Sequence, residues 1–384
     1  MEASRWALLA IALGVLFTPA VRKTVYSSRT PGDFQWHAQS AERLRHGEGI
    51  ETPHLAYALL LAGLGFLLER VPGLTWSWTA AAIAVAIAFQ ILAGVVLTRA
   101  ARERLGVGPP ALRFVIAALL ATALLLATPI ALLTIRSHNL YLGYIGVNVY
   151  HNPTMFLLKA LAAWTWLRLA RVVAGGRADR WAGCAALAMG VTASTLAKPS
   201  YTIALLPALA VFAAWEAGHG RRDRLAPLAL AVVLPATLVL AGQLVFFYGT
   251  EGSRLRWAPL LAMGGRPLER MGRLALSAAF PAAVGSLYWN RARRSAPLVL
   301  AWLVFGAGAA LSYLVAEEGR RAYHGNLLWS GQAALFVLFV ASALFLLEQP
   351  TPGPAIDARR AVALSVLGLH VASGVVFLVH PLWW

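Results

Sequence analysis

Long apolar runs separated by short polar loops set the pattern of the chain. Long enough to cross a bilayer, or nearly so, are Trp6–Val21, Trp78–Thr98, Phe114–Ile135, Pro153–Val172, Trp181–Ala197 and Ser200–Glu216. Leu225–Tyr248, Leu274–Trp289, Ala296–Ala316, Leu327–Leu347 and Ala361–Val379 complete the set of eleven. A helix rises about 1.5 Å per residue, so about 20 residues cross the hydrocarbon core. Several runs fall short and must borrow flanking residues. The pattern predicts an all-α, polytopic transmembrane bundle. A further run, His54–Arg70, is ambiguous: it is short, comes directly after Pro53 and ends in Glu69-Arg70. The first run starts just after Arg5 and ends near Pro19; with so many later spans it reads as a retained anchor, not a signal peptide.

Composition agrees with this reading. Charged residues make up 13% of the chain and hydrophobic ones 59%, about half the charge of an ordinary soluble domain. Many of the 14 Trp sit at run ends, among them Trp6, Trp78, Trp181, Trp215, Trp289 and Trp329, where an interfacial belt places them. Little of the 384 residues is left for a separate soluble domain. The net charge of +17 is dispersed over many loops, which points to lipid headgroups and phosphate-bearing substrates and away from nucleic acid. Cys184 is the single cysteine, so no disulfide framework exists.

Charge also orients the spans. The loops holding Arg99–Arg113, Arg168–Arg180, Arg221–Arg224, Arg291–Arg294 and Arg359-Arg360 carry 16 basic residues; the alternate loops after residue 78 carry 9. Basic loops stay in the cytoplasm, which puts the first set inside. Two arrangements satisfy the rule. If His54–Arg70 lies along the outer interface, there are eleven spans and residues 22–77 are extracytoplasmic. If it crosses, there are twelve, and residues 22–53 are cytoplasmic.

Chemistry concentrates in the first loop, Pro31-Gly32-Asp33-Phe34-Gln35-Trp36-His37. Pro-Gly marks a turn, and Gly47 and Gly49 mark a stop, which predicts a short amphipathic helix between them. Asp33 and His37 are four apart and share a face. Asp33 reads either as a helix N-cap or as a general base held at the membrane surface, the two being compatible only if one carboxylate oxygen stays free. HExxH, cysteine pairs, GxGxxG and the P-loop are absent from the sequence, so neither a motif metal site nor cytoplasmic nucleotide chemistry is indicated.

An Asp soon after the first span, a short helix, and then the Pro-containing segment Thr52-Pro53-His54-Leu55-Ala56-Tyr57 together resemble the GT-C superfamily of membrane glycosyltransferases. The nearest branch is the bacterial one that uses polyprenyl-phosphate-linked sugars, such as the mannosyl- and arabinosyltransferases. Gly143-Tyr144-Ile145-Gly146-Val147-Asn148 and His151-Asn152-Pro153 stand where the family has a polar outer loop, and Lys198-Pro199 where it often has Lys-Pro. The resemblance covers roughly residues 1–220. The chain departs from the pattern in having one Asp beside Phe34, where many members pair two acidic residues, and Asn148, His151 and Asn152 where many have Asp.

The resemblance implies the eleven-span arrangement, with juxtamembrane helices in the extracytoplasmic loop 22–77 and an active site facing out of a bacterial cytoplasmic membrane. It implies a GT-C-like catalytic module over 1–220 and variable transmembrane helices over 221–384. The donor would be a polyprenyl-phosphate-linked sugar, the acceptor a glycan or glycolipid, and Asp33 the base of an inverting displacement. His37 and His324 are further proton-handling candidates. Lys198, Arg254, Arg256, Arg266, Arg270, Arg320 and Arg321 are candidates for the donor phosphate, since arginine binds phosphate oxygens in pairs and outer arginines run against the charge rule. Headgroup anchoring is the competing explanation for them. His54, Tyr57, Asn148, His151, Asn152 and Lys159 are candidates for the acceptor or sugar. Lys159 lies inside a run and must face a polar cavity or snorkel outward. The sequence indicates no cofactor, and leaves a divalent metal open. A flippase of lipid-linked saccharides would explain the spans and outer arginines equally well, and a polysaccharide polymerase or ligase is a third reading.

Overall fold

The structure is a computed structural model that describes residues 2–26, 32–49, 52–106, 108–131, 134, 143–175, 177–248, 254–261, 267–319, 322, 325–350 and 357–383. Helices account for nearly all of it. The first half holds α1 (Glu2–Tyr26), α2 (Asp33–Arg45), α3 (Leu55–Leu68), α4 (Trp78–Arg104), α5 (Pro110–Leu126), α6 (Pro153–Ala174), α7 (Arg177–Ala197) and α8 (Ser200–Gly218). Next, α9 (Leu225–Leu228) and α10 (Leu234–Gln243) form one rod over Arg222–Phe247, joined by a π-helical turn at Ala229–Val233. Pro235 lies just past that turn and has no N–H to donate, and the wider turn absorbs the missing bond. The chain continues through α11 (Pro267–Ser277), α12 (Ala279–Leu287), α13 (Trp289–Ala292), α14 (Ala296–Leu314), α15 (Leu328–Leu347) and α16 (Ala358–Trp383). The one exception to the all-α expectation among the described residues is a two-stranded antiparallel ribbon, β1 (Leu255–Trp257) with β2 (Val315–Glu317), in register Arg256 to Ala316.

Seven of the described helices are long and apolar enough to cross a membrane: α1, α4, α8, the rod Arg222–Phe247, α14, α15 and α16. The chain is thus built as an integral membrane protein. Helix α15 is its axis, with 94% of its apolar window buried. Helix α14 packs on α15 through small residues, and a Cβ on Gly308 would stand 2.8 Å from the Ser330 carbonyl oxygen.

Ion pairs gather the arginine-rich loops at one end of the bundle. Arg102 pairs with Glu2 at the start of α1, Arg171 with Glu103 at the end of α4, and Arg104 with Glu348 beyond α15. Arg360 donates to the carbonyl oxygens of Leu346 and Gln349, joining the start of α16 to the same end. Glu216, fully buried, lies between Arg221 and Arg224 at 2.9 and 2.7 Å. These contacts reproduce the alternation read from the loop charges, with α1 running from this end to the other.

Helix α3 does not reach the arginine end. Its 14 residues span about 21 Å, short of a hydrocarbon core of about 30 Å. Its far end stays with the first loop, since Glu69 pairs with Arg45 of α2 at 3.0 Å. Gly65 lies against Trp78, the first residue of α4, and the Tyr57 hydroxyl donates to Ala82 one turn further on. The chain therefore enters α4 at the end of the bundle where it left α1.

Two apolar runs break within the bundle, each at a proline. The run Phe114–Ile135 stays helical only to Leu126, because Pro129 biases the residue before it away from helix. The freed backbone is taken up by side chains. Asn148 donates to the Leu124 and Ala127 carbonyls at 2.9 and 2.7 Å; Ser373 accepts from the Ala131 N–H and donates to Pro129. The run Leu274–Trp289 breaks at Ala278, ahead of Pro281, and His370 Nε2 accepts the Phe280 N–H at 3.2 Å. Every such group must be satisfied inside a membrane protein. Helix α16 comes so close that a Cβ on Gly374 would sit 1.8 Å from the Leu126 carbonyl oxygen. We expect Gly374→Ala to cost about 1–3 kcal/mol of stability, the usual penalty of overpacking. Heat-induced aggregation in detergent measures it, and an unchanged midpoint would mean that α16 does not dock this closely.

Candidate active site

Three helix starts converge at the end opposite the arginine loops. Helix α2 opens with Asp33, while Gly32 holds the cap position. Gln35 replaces a capping side chain: its Oε1 accepts the Gly32 N–H at 3.0 Å and its Nε2 donates to the Val25 carbonyl at 2.8 Å, tying α2 to the end of α1. Phe34 is buried against Phe156. Asp33 is therefore not a cap, and its carboxylate is left for tertiary contacts.

Helix α6 opens after Asn152, which does cap. Its Oδ1 accepts the Met155 N–H at 3.3 Å and the Thr154 hydroxyl at 2.6 Å, and its Nδ2 donates to Asp33 Oδ2 at 2.7 Å. Helix α8 opens after Lys198-Pro199, and Lys198 Nζ donates to Thr154 Oγ1 at 3.1 Å. A continuous chain thus runs Asp33–Asn152–Thr154–Lys198 across α2, α6 and the α7–α8 junction. Trp329 floors it, with Lys198 Nζ 4.7 Å from the indole centroid and the His151 ring at 5.5 Å. His37 lies 5.4 Å from the His54 ring and 5.6 Å from that of Tyr57. One turn deeper, Lys159 Nζ donates to Asn148 Oδ1 at 2.9 Å, so it faces the bundle and does not snorkel.

Lys198 is a buried cation with the Asp33 carboxylate as its charge partner, and the buried Lys159 lies deeper, on Asn148. Helix N-termini add positive potential, and such a place favours an anion. Burial pushes the Lys198 ammonium down to about 8, while Asp33 works to raise it. Burial, helped by the Lys198 charge, drops the His37 imidazole to about 3. It also takes His54 well below its ordinary value and lowers His151, where Asp33 opposes the shift. The shifts favour neutral rings, which can each accept a hydrogen bond. His54 Nδ1 is buried without a hydrogen-bond partner among the described residues.

The structure therefore brings together Asp33, His37, His54, Tyr57, His151, Asn152 and Lys198, with Asn148 and Lys159 beneath. It does not bring Arg254 and Arg256 into this group: both stand exposed on the ribbon strand β1 and its edge, because the ribbon pairs that loop with the one after α14. Arg266, Arg320, Arg321 and His324 lie outside the described residues. Arg270 is buried on α11 beside Arg273, Glu269 and Tyr313, and its guanidinium nitrogens have no hydrogen-bond partner among the described residues. Arg273 in turn lies over the Tyr144 ring, in the same loop segment as Asn148. Sequence reasoning missed Thr154 and the packing role of Trp329. Asn-Pro-Thr ahead of an apolar run is a cap signal that could have exposed Thr154. Among the described residues no group of three or more His, Cys, Asp and Glu could hold a metal ion. No protein-family model matches the chain, and no curated protein matches it.

Proposed function

We propose that the chain is a GT-C-like glycosyltransferase of the cytoplasmic membrane that moves a sugar from a polyprenyl-phosphate donor to a hydroxyl acceptor. The Asp33–Asn152–Thr154–Lys198 chain carries this reading, because it sets a carboxylate base and a cation for phosphate on one continuous frame. Asn152 holds Asp33 Oδ2 and leaves Oδ1 for the acceptor. Asp33 takes the acceptor proton as its oxygen attacks the anomeric carbon. The carbon–oxygen bond to the phosphate breaks, the lipid phosphate leaves with the electron pair beside Lys198, and the sugar inverts. Arg270 and Arg273 form a second cationic site for the donor's charge at the same end. Eleven spans, with α2 and α3 as outer juxtamembrane helices, match this chemistry, since a lipid-linked donor is the activated sugar present outside the cell. Reconstituted protein supplied with polyprenyl-phospho-sugar and acceptor glycolipid is expected to form a glycosidic bond. Movement of the donor across the bilayer with no bond formed would favour a flippase.

The orientation has its own test. In a Cys184→Ser background, Glu48→Cys is expected to react with a membrane-impermeant maleimide in intact cells, and Arg294→Cys only after permeabilisation. The reverse pattern would put Asp33 in the cytoplasm and end the proposal.

A further inference from the structure

At the arginine end, opposite Asp33, a cavity of about 360 Å³ opens between α6, α14 and α15. Arg104, Arg171, Arg224 and Arg294 line it, with Glu348 as the one carboxylate. Three of the arginines have carboxylate partners: Glu348 for Arg104, Glu103 for Arg171 and Glu216 for Arg224. Each pairing occupies part of a guanidinium that carries five N–H donors. Arg294 is exposed and has no side-chain partner among the described residues. The N-terminal turn of α14 also faces the cavity, and the Ser295 hydroxyl makes no capping bond there. The arginines do not close over a polar floor. Below them the wall is Trp166, Leu298, Leu344 and Phe345, all on helices of the bundle and all buried.

We propose that this cavity binds an anionic phospholipid of the adjacent leaflet, with the headgroup phosphate on the arginines and the glycerol and first acyl carbons on the apolar wall. Basic pockets between transmembrane helices on the cytoplasmic side take anionic headgroups in this way. A soluble phosphate would use the arginines and leave the apolar wall bare, which is the reason for choosing a lipid. The site is at the other end of the bundle from Asp33 and does not depend on the glycosyltransferase reading.

Full-length protein, delipidated in neutral detergent, would be mixed with phosphatidylglycerol, phosphatidylcholine or glycerol 1-phosphate and examined by native mass spectrometry. Phosphatidylglycerol is expected to remain bound while the other two are lost. Arg294→Gln should weaken its retention about fivefold, and Arg171→Gln with Arg294→Gln roughly 25-fold, at about 1 kcal/mol per arginine. Arg171 is 55% exposed, so neither change removes a buried prop, and an unaltered melting midpoint confirms that the fold is kept. Equal retention of phosphatidylcholine, equal binding of glycerol 1-phosphate, or unchanged affinity in the folded double variant would each overturn the proposal.

Discussion

Asp33→Asn is expected to abolish glycosyl transfer while leaving the protein folded and able to bind its donor. The substitution keeps the shape of the side chain, and its amide oxygen can still accept the Asn152 N–H that now reaches Oδ2. What it removes is the site for the acceptor proton. A positioned general base is worth roughly 10²–10⁴ in rate, so turnover should fall by at least that factor. The affinity for polyprenyl-phospho-sugar should change little, because the cations near the phosphate remain, and slightly improve if the Asp33 charge repels it. Single-turnover assays with purified protein separate the two effects. Turnover above about a tenth of wild type in the folded variant would remove Asp33 from the chemistry.

How far the site was legible depends on what each residue needs for its job. Asp33 could be singled out because a carboxylate soon after the first span stands apart from the apolar runs around it. Its sequence neighbours, however, could not decide between a cap and a base. Gly32 takes the cap position, and Asn152, 119 residues away, supplies the partner that distinguishes them. Lys198 was legible as a cation beside a helix-breaking proline; its link through Thr154 was not, because a threonine at the second position of a helix looks like any helix start. The apolar runs were legible as helices since hydropathy alone makes them, but the breaks at Pro129 and Pro281 depend on His370 and Ser373 of α16 to satisfy the opened backbone. The run His54–Arg70 could not be placed by charge counting, because both arrangements obey the rule. Arg45 to Glu69 and Trp78 to Gly65 keep it beside α2 and the start of α4, and these are contacts between segments that local pattern does not join. Arg254 and Arg256 lie near other outer arginines in sequence, but the β1–β2 ribbon holds them exposed and apart from the Asp33 group, because a cluster in sequence need not be a cluster in space.

Lys198→Met should lower turnover about 10²–10³-fold, the range for losing one preorganised group that stabilises developing charge. Methionine keeps most of the length and the apolar stem of the side chain, so Trp329 and the α7–α8 junction keep their packing. The charge on the leaving phosphate grows as the anomeric bond breaks, so the loss should fall on kcat more than on KM. The pH profile separates this role from a structural one. The Lys198 ammonium is held down to about 8 by burial, below the ordinary lysine value of 10.5. Only the protonated form stabilises the phosphate, so wild-type activity should fall as pH rises through about 8. Lys198→Arg restores a cation that stays protonated throughout, and should retain measurable activity while moving that alkaline limb beyond about pH 10. A limb that stays near 8 in Lys198→Arg would assign it to another group. A Lys198→Met variant with normal kcat would leave Asp33 without its cationic partner and remove the electrostatic half of the proposed mechanism.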